Sequence, residues 1–423
     1  MKKFFICLCT IGFLFYFSSP LLAGGIDNKH NFSAEYVRTL NRNAATDSAD
    51  AVVYNPAGVM EMENGSYINL STQYILKDYS SIDSLGLDQD EPSIVPALFG
   101  LYKQDKWSLF GAFTIPGGGG EVKFDKGSAT TETTGRRFID LTPHTSIGTQ
   151  RINAESFYYG FTLGGAYKVD DTYSISLGAR YIDAYSASDG QIILTGGAAN
   201  STWTTDYEKA ADGWGGIIGL NINPEGPVNF GIRYETKTKL DFKYTVKTDT
   251  YSGPYGLPPL LAAQGIRTGA TERRDLPGLL GLGAGFKITP KLRLDTTLTY
   301  YFQESADWNR AEDNVDNGFD AGFSLEYLFS DKLKGSAGYM YTDTGIDAKD
   351  MTKENPQLSA NTLGTGVAYK YTPNLDLNFS IGKVFYKSDA YIHTPPAPAT
   401  TPTYVDFDKD IVFLSFGIQY KFK

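Results

Sequence analysis

The chain has 423 residues, with 48 acidic and 38 basic side chains and a net charge of −10 at pH 7. This sign disfavours nucleic acid as a partner. Aromatic residues make up 14% and hydrophobic residues only 41%, with 45 glycines. No Pro/Ser-rich linker or charge block divides the chain, so one continuous series of strands is the simplest organisation.

Residues 1–23 are predicted to form a signal peptide. Lys2 and Lys3 precede an uncharged run that ends at Ala23, and a basic start, an apolar core and a small final residue are typical of export. A retained membrane anchor is the alternative, because the run is nearly long enough to span a bilayer. Both cysteines, Cys7 and Cys9, lie in this leader. The exported chain would therefore contain no disulfide, catalytic thiol or cysteine-bound metal.

The next segment, residues 24–64, is predicted to be a plug. Its central stretch, Ala44–Gly58, is small and polar and has neither a helical nor a strand period. Asn55-Pro56 favours a turn, because proline excludes the helical region for the residue before it. We expect this stretch to fold inside a barrel built by residues 65–423.

From about residue 65 onward, apolar and polar residues alternate in long segments, which predicts strands. Clear examples are 173–181, 292–302, 319–329 and 412–422. A soluble sandwich would show the same alternation, but segments of ten or more residues match what a tilted strand needs to cross a bilayer. Six short turns and seven longer loops alternate, which indicates about fourteen antiparallel strands. The turns lie at 104–106, 170–171, 224–227, 289–291, 331–332 and 372–374, and the loops at 80–91, 117–153, 188–211, 244–274, 307–317, 345–358 and 390–408.

The stretch Asp50–Gly58 resembles the Asn-Pro-Ala hatch motif of the FadL family, the outer-membrane channels for long-chain fatty acids and other hydrophobic compounds. The resemblance implies an all-β fold, a transmembrane antiparallel β-barrel of about 14 strands with an N-terminal hatch inside the lumen. It also implies the outer membrane of a Gram-negative bacterium, with membrane lipids and the outer-membrane assembly machinery as partners. The last strand resembles the C-terminal insertion strand of such proteins, although Lys423 replaces the usual final aromatic residue. The hatch residues are Asp50, Asn55, Pro56, Ala57 and Gly58.

Glycines recur at inward strand positions, where they either leave space for the plug or only help the sheet to curve. Channels of the resembled family have a kink in the third strand that opens the wall sideways. Pro116, Gly117 and Gly118 end an apolar strand here. They are our candidates for such a kink.

Two predicted outer loops contain apolar residues, which usually indicate a contact or binding surface. We predict that they capture substrate; the alternative is that they pack together and cap the barrel. Pro258-Pro259 and Gly265 frame a short predicted helix in the second loop. The candidates are Leu257, Leu260, Leu261, Ile266, Ile192, Ile193 and Trp203.

Three arginines, Arg180, Arg233 and Arg293, occupy inward strand positions. An arginine in the lumen could hold a substrate carboxylate through paired hydrogen bonds. The alternative is pairing with lumen carboxylates such as Asp295 or Glu326.

No Gly-x-Ser-x-Gly elbow or phosphate loop is present. His30, His144 and His393 lack metal-ligand spacing. We therefore expect no enzymatic activity, cofactor or metal. The predicted function is passive uptake of a hydrophobic small molecule, a fatty acid or a hydrocarbon. A lipid-modifying barrel enzyme and a structural or adhesive barrel with an immobile plug are the alternatives.

Overall fold

The computed structural model describes residues 31–395 and 399–422. The predicted signal peptide, His30 and Lys423 lie outside these residues. In chain order the strands are β1 (Gly65–Ile82), β2 (Leu87–Gln89), β3 (Ser93–Gln104), β4 (Trp107–Phe124), β5 (Ser146–Lys168), β6 (Tyr173–Thr195), β7 (Ser201–Ile222), β8 (Val228–Glu235), β9 (Asp241–Ser252), β10 (Thr271–Arg273), β11 (Gly278–Thr289), β12 (Leu292–Phe302), β13 (Phe319–Ser330), β14 (Leu333–Asp343), β15 (Ala360–Thr372), β16 (Leu375–Tyr386), β17 (Asp389–His393) and β18 (Thr403–Phe422).

Fourteen of these strands form a closed antiparallel barrel. Each pairs with its neighbour along the chain, and β1 pairs with β18 from Ser66↔Phe422 to Ser80↔Asp408 to close the ring. Closure joins the first and last strands of the ring, so neither is left as a free edge in the membrane. The four short or peripheral strands β2, β9, β10 and β17 lie outside this ring of fourteen, at the end with the long loops. We call this end the outer end.

The alternation in sequence becomes two chemically different faces. On β5, Leu163 is 72% exposed on the outside, whereas its neighbour Thr162 is 2% exposed in the lumen. The outward apolar side chains suit hydrocarbon, while hydroxyl, amide and charged groups face inward and hydrogen-bond to one another. The predicted fold class, a membrane barrel of fourteen strands, is confirmed.

All six predicted tight turns join strands at the inner end, but the prediction of the outer loops is wrong in several places. In the predicted loops 244–274 and 390–408, residues 244–252 belong to β9 and residues 403–408 to β18. Residues 188–195 and 201–211 belong to β6 and β7, so only 196–200 form a loop there. Likewise β4 continues to Phe124 and β5 begins at Ser146, which shortens the predicted loop 117–153. These strands pair beyond the length needed for one membrane crossing, so bilayer thickness was a poor guide to where they end.

Helices are short and few in the described part of the chain. They are α1 (Ala34–Thr39), α2 (Ala129–Leu141) and α3 (Leu260–Ala263), with 3₁₀ turns at Ala49–Val53, Gly58–Glu61, Asp83–Leu85, Ala311–Asn314 and Ala348–Asp350. None of the described helices is long and apolar enough to cross a membrane. Helix α3 confirms the short helix expected between Pro259 and Gly265.

Candidate functional site

Residues 31–62 fill the lumen. The segment contains α1 and two 3₁₀ turns, and most of its side chains are less than 9% exposed. Helix α1 packs on β14, β15 and β16. Ser33 caps the helix by accepting a hydrogen bond from the Tyr36 amide at 3.0 Å. Thus the segment predicted to be a plug has local structure of its own and lies against the inner wall.

Asp50 organises the middle of this segment. Its carboxylate accepts two hydrogen bonds from the Arg42 guanidinium, at 3.1 and 2.5 Å, and one from the Ser33 hydroxyl at 2.7 Å. Asp50 is fully buried. A buried carboxylate is tolerated only with such paired and hydrogen-bonded partners. Asp50 therefore ties the start of α1 to the turn that follows it.

Asn55 connects the turn to the wall. Its amide nitrogen donates to the carbonyl oxygen of Ala45 at 3.0 Å and to the Asn221 side chain on β7 at 2.9 Å. The Pro56 ring lies next to Gly219 on the same strand, and a Cβ at Gly58 would overlap the Asn55 amide. Asn55 therefore bonds both to the backbone of its own segment and to the barrel.

Bare glycine backbone forms the wall beside residues 37–44. A Cβ at Gly231 would overlap the Asn43 carbonyl, and one at Gly283 would overlap the junction of Asn43 and Ala44. Cβ atoms at Gly338 and Gly364 would overlap the carbonyls of Thr39 and Val37. These glycines make room for the segment. Not every inward glycine makes such room: a Cβ at Gly164 would meet the Phe110 ring on the neighbouring strand.

The segment also bridges the strands that close the barrel. Glu35 accepts hydrogen bonds from Asn69 on β1 at 2.7 Å and from Asn378 on β16 at 3.0 Å. Gln419 on β18 accepts from the Ser48 hydroxyl at 3.0 Å and the Ala49 amide at 2.7 Å. Residues 35–49 thus contact strands on both sides of the β1–β18 junction.

The wall is interrupted between β3 and β4. Their described pairing runs from Gln104↔Trp107 to Leu98↔Phe113 and ends there. Beyond that point β3 pairs with β1 and β4 pairs with β5. Two ion pairs cross the interruption at its outer end, Lys123–Glu91 at 3.5 Å and Lys126–Asp88 at 3.9 Å.

The irregularity begins at the residues singled out in the sequence. The β4–β5 register shifts between Thr114 and Gly117 and again between Gly117 and Gly120. Gly118 and Gly120 have φ values of 88° and 71°, a region that residues with a Cβ rarely occupy. Pro116 has no N–H for a ladder bond, so this site suits it. We call Gly117–Gly120 the glycine segment.

Lys77 holds the glycine segment from inside the lumen. Its ammonium donates to the carbonyl oxygens of Glu121 at 2.6 Å and Gly119 at 3.5 Å, and the side chain is 5% exposed. Since Lys77 lies on β1, these bonds join β1 to β4 where β3 and β4 do not pair. No sequence motif marked this lysine; only its inward position on β1 pointed to the lumen.

Cavities lie on both sides of the glycine segment. The first, about 70 Å³, is in the outer half of the lumen and is lined by Val122, Ile152, Ser156, Tyr207 and Glu354 among others. We call it the lumen cavity. The second, about 60 Å³, lies at the interruption between β3 and β4, and we call it the wall cavity. Its lining includes Phe32, Ile75, Lys77, Val95, Ile115 and Phe157. Gly119 and Gly120 line both cavities.

The apolar residues predicted to capture substrate are mostly packed together. Ile192, Trp203 and Leu260 are 1–8% exposed and form one cluster, with Leu257 against it. Leu261 is fully buried in a second cluster with Tyr207 and Tyr244, and Ile266 packs on it. Ile193 points to the other face of β6 from Ile192. The clusters join the loop to β6, β7 and β9, as expected for a cap; Leu257 and Ile266 remain partly exposed.

The three inward arginines pair with carboxylates of the chain. Arg180 and Arg233 share Glu235, with nitrogen–oxygen distances of 2.7 and 3.3 Å. Arg293 lies 2.7 Å from Asp295, one of the two acidic partners considered from the sequence. The other, Glu326, pairs with Arg38 and Lys334. A substrate carboxylate that binds one of the three arginines would have to displace the carboxylate that already pairs with it.

Metal-ligating side chains do not cluster in the described residues. His144 contacts the Thr142 hydroxyl at 2.8 Å through Nδ1 and the Ala199 carbonyl at 3.2 Å through Nε2. His393 lies on β17 in an outer loop. Burial, with Lys353 and Arg137 nearby, lowers the pKa of its imidazole to about 4.

The chain resembles solved outer-membrane channels throughout its length. It superposes on a Pseudomonas aeruginosa FadL homologue with a TM-score of 0.71 and 14% identity, covering 96% of this chain and 100% of that one. The Pseudomonas putida toluene transporter TodX superposes with a TM-score of 0.61 and 12% identity, covering 90% of this chain and 96% of that one. The Ralstonia pickettii toluene transporter TbuX superposes with a TM-score of 0.60 and 15% identity, covering 92% of this chain and 99% of that one. At these identities the structures support the fold alone.

A search of curated proteins returned no match. The family model described as outer membrane protein transport protein (OMPP1/FadL/TodX) matches residues 17–423. This match spans almost the whole chain and agrees with the fourteen-stranded barrel. The chain therefore belongs to the FadL/TodX family of outer-membrane transport proteins.

Proposed function

We propose that this protein is a passive channel through which hydrophobic small molecules cross the outer membrane, fatty acids or hydrocarbons being the candidate substrates. The observation that carries the proposal is the pair of cavities that share the glycine segment, one in the lumen and one at the interruption between β3 and β4. The names of the similar structures, a FadL homologue and two toluene transporters, agree with such substrates.

The path begins at the outer end. Leu257 and Ile266, partly exposed on the packed loop clusters, offer the first apolar contact. A molecule then enters the lumen cavity against Val122 and Ile152. Movement of the glycine segment connects this cavity to the wall cavity, whose apolar lining leads between β3 and β4. Because that opening faces lipid, a hydrophobic molecule leaves without passing through water.

Residues 24–64 serve as the hatch in this proposal. The described part of the segment fills the lumen, which suits a barrel that excludes polar solutes. Phe32 and Asn31 at its start line the wall cavity, so a shift of this part would widen the exit. Asp50 and Asn55 keep the rest of the hatch in place through the bonds described above.

The test is uptake by liposomes containing the purified protein. Labelled long-chain fatty acid and labelled toluene should both be tried, with empty liposomes as the background. To test the wall path, Val95→Cys and Ile115→Cys are joined by a short bismaleimide after Cys7 and Cys9 have been replaced by serine. Coupling should stop uptake, while either single variant treated with the reagent continues to transport. Undiminished uptake by the coupled protein would refute the exit between β3 and β4, and uptake equal to empty liposomes for every hydrophobic probe would refute the channel.

A further inference from the structure

The lumen cavity combines an apolar side with a group of hydroxyls. Val122, Ile152 and Ala154 form the apolar part. Its volume of about 70 Å³ is enough for several water-sized groups. The hydroxyl-bearing side chains that line it come from three strands and a loop, and they are Ser156, Ser186, Ser188, Tyr207 and Thr352.

Ser156 is the residue that points to a ligand. Its side chain is 5% exposed, and its hydroxyl has no hydrogen-bond partner among the described residues. Native structures seldom leave a buried polar group without a partner unless water or a ligand satisfies it, because an unmade hydrogen bond destabilises the fold. A ligand hydroxyl could do so, because it both donates and accepts.

The charges around the cavity disfavour an anion. Lys209 lines it, but its ammonium lies 2.6 Å from the Glu272 carboxylate. The same ammonium lies 5.4 and 5.3 Å from the ring centroids of Phe242 and Tyr244. Glu155 and Glu354 add two carboxylates to the lining. A ligand carboxylate would meet one positive charge that is already paired and two carboxylates of its own sign.

An uncharged hydrocarbon fits the apolar part but leaves the Ser156 hydroxyl without a partner. We therefore infer that the lumen cavity is a selective site for uncharged hydrophobic molecules that carry a hydroxyl group, such as small alcohols and phenols. This inference rests on the proposed function, since it names the substrate class that the channel would favour. Fatty-acid anions would be poor ligands of this cavity.

The test compares three probes of nearly equal size, toluene, benzyl alcohol and benzoate. Binding to the purified, detergent-solubilised protein is measured by equilibrium dialysis. Benzyl alcohol should bind the tightest and benzoate the weakest. Replacing Ser156 by alanine should weaken benzyl alcohol about fivefold, the value of one hydrogen bond, and leave toluene unchanged.

Ser324→Ala is the matched control. Ser324 is 1% exposed, its hydroxyl also lacks a partner among the described residues, and it lies on β13 outside the lumen cavity. This variant should bind all three probes like the parent. Tightest binding of benzoate, equal binding of toluene and benzyl alcohol by the parent, or the same loss in Ser156→Ala and Ser324→Ala would each overturn the inference.

Flux measured in parallel separates this inference from the proposed function. Selective binding of benzyl alcohol without uptake into liposomes would refute the channel and leave the site. Uptake that shows no preference for benzyl alcohol, together with unselective binding, would refute the site and leave the channel.

Discussion

Replacing Lys77 by methionine should loosen the glycine segment. Methionine keeps much of the length of the side chain but removes the ammonium that bonds to the carbonyls of Glu121 and Gly119. Because β3 does not pair with β4 at this level, no ladder bond from β3 compensates for the lost bonds, and the pairing of β4 with β5 is irregular at Gly117 and Gly120. The closed arrangement should therefore become less stable relative to one in which the two cavities join.

The size of the effect follows from the two distances. The 2.6 Å bond to Glu121 is a strong charge-assisted bond, whereas the 3.5 Å bond to Gly119 is at the limit of hydrogen bonding. Hydrogen bonds to charged groups contribute about 1.5–3 kcal/mol net, so we expect a loss of about 2 kcal/mol. This corresponds to a roughly 30-fold increase in the ratio of open to closed forms.

Hydrogen exchange of the amides in residues 117–121 measures this ratio directly, and liposome uptake measures its consequence. Exchange should accelerate by about 30-fold, and uptake should rise if opening limits the rate. Lys103→Met is the matched control: Lys103 is 7% exposed and bonds to Asn64 at 3.0 Å and to the Asp105 carbonyl at 3.3 Å, near the inner end. Unchanged exchange in Lys77→Met, or equal acceleration in both variants, would refute the reasoning.

Three other predictions concern the hatch, the loop clusters and an outer histidine. Asn55→Ala removes hydrogen bonds to Ala45 and Asn221, which together contribute about 1 kcal/mol or slightly more. Insertion and barrel melting should be normal, while leak of a small hydrophilic dye should rise. Asn64→Ala, at the exposed inner end, is the control, and an equal leak in both variants would show that Asn55 does not hold the hatch closed. Leu257→Asp should lower uptake at limiting substrate with the loop intact, whereas Leu261→Asp should make the loop sensitive to protease because Leu261 is fully buried. If Leu257→Asp takes up substrate as fast as the parent protein, the loop is only a cap. The loop carrying His393 should become more sensitive to protease as the pH falls from about 6.5 towards 4. The reason is that the imidazole of an unfolded loop takes a proton at a higher pH than the partly buried imidazole of the folded loop, whose pKa is about 4. His393→Gln should abolish this pH dependence, and a response that survives the substitution would exclude His393 as its cause.

Strand number and inner turns could be predicted because both depend on local sequence. The period of two is set by the pleat of a strand, and Asp170-Asp171 or Thr372-Pro373-Asn374 interrupt it with residues that favour turns. The irregular third barrel strand was also recognisable, since Pro116 and Gly117–Gly120 are unsuited to a regular ladder. Its partner on β1 was not.

Contacts between residues far apart in sequence depend on how the strands of the barrel pair. Lys77 and Glu121 are 44 residues apart, and Lys209 and Glu272 are 63 residues apart. Whether they meet depends on the register of neighbouring strands, which a single sequence does not specify. For the same reason Ser156 looked like any other inward serine until its neighbours were known. The outer strand ends were missed because pairing above the membrane depends on partner strands.

The hydrogen bonds from residues 35–49 to β1, β16 and β18 couple closure of the barrel to placement of the segment inside it. The ring is closed by pairing of its first and last strands in sequence, β1 and β18, and Glu35 and Gln419 place the interior segment against both sides of that junction. With Gly231, Gly283, Gly338 and Gly364 fitted to its backbone, the segment has little room to be threaded in afterwards. The sheet would instead close around this segment, which would guide the pairing of β1 with β18. A chain from which it is deleted should therefore give misclosed sheets before it gives an open pore.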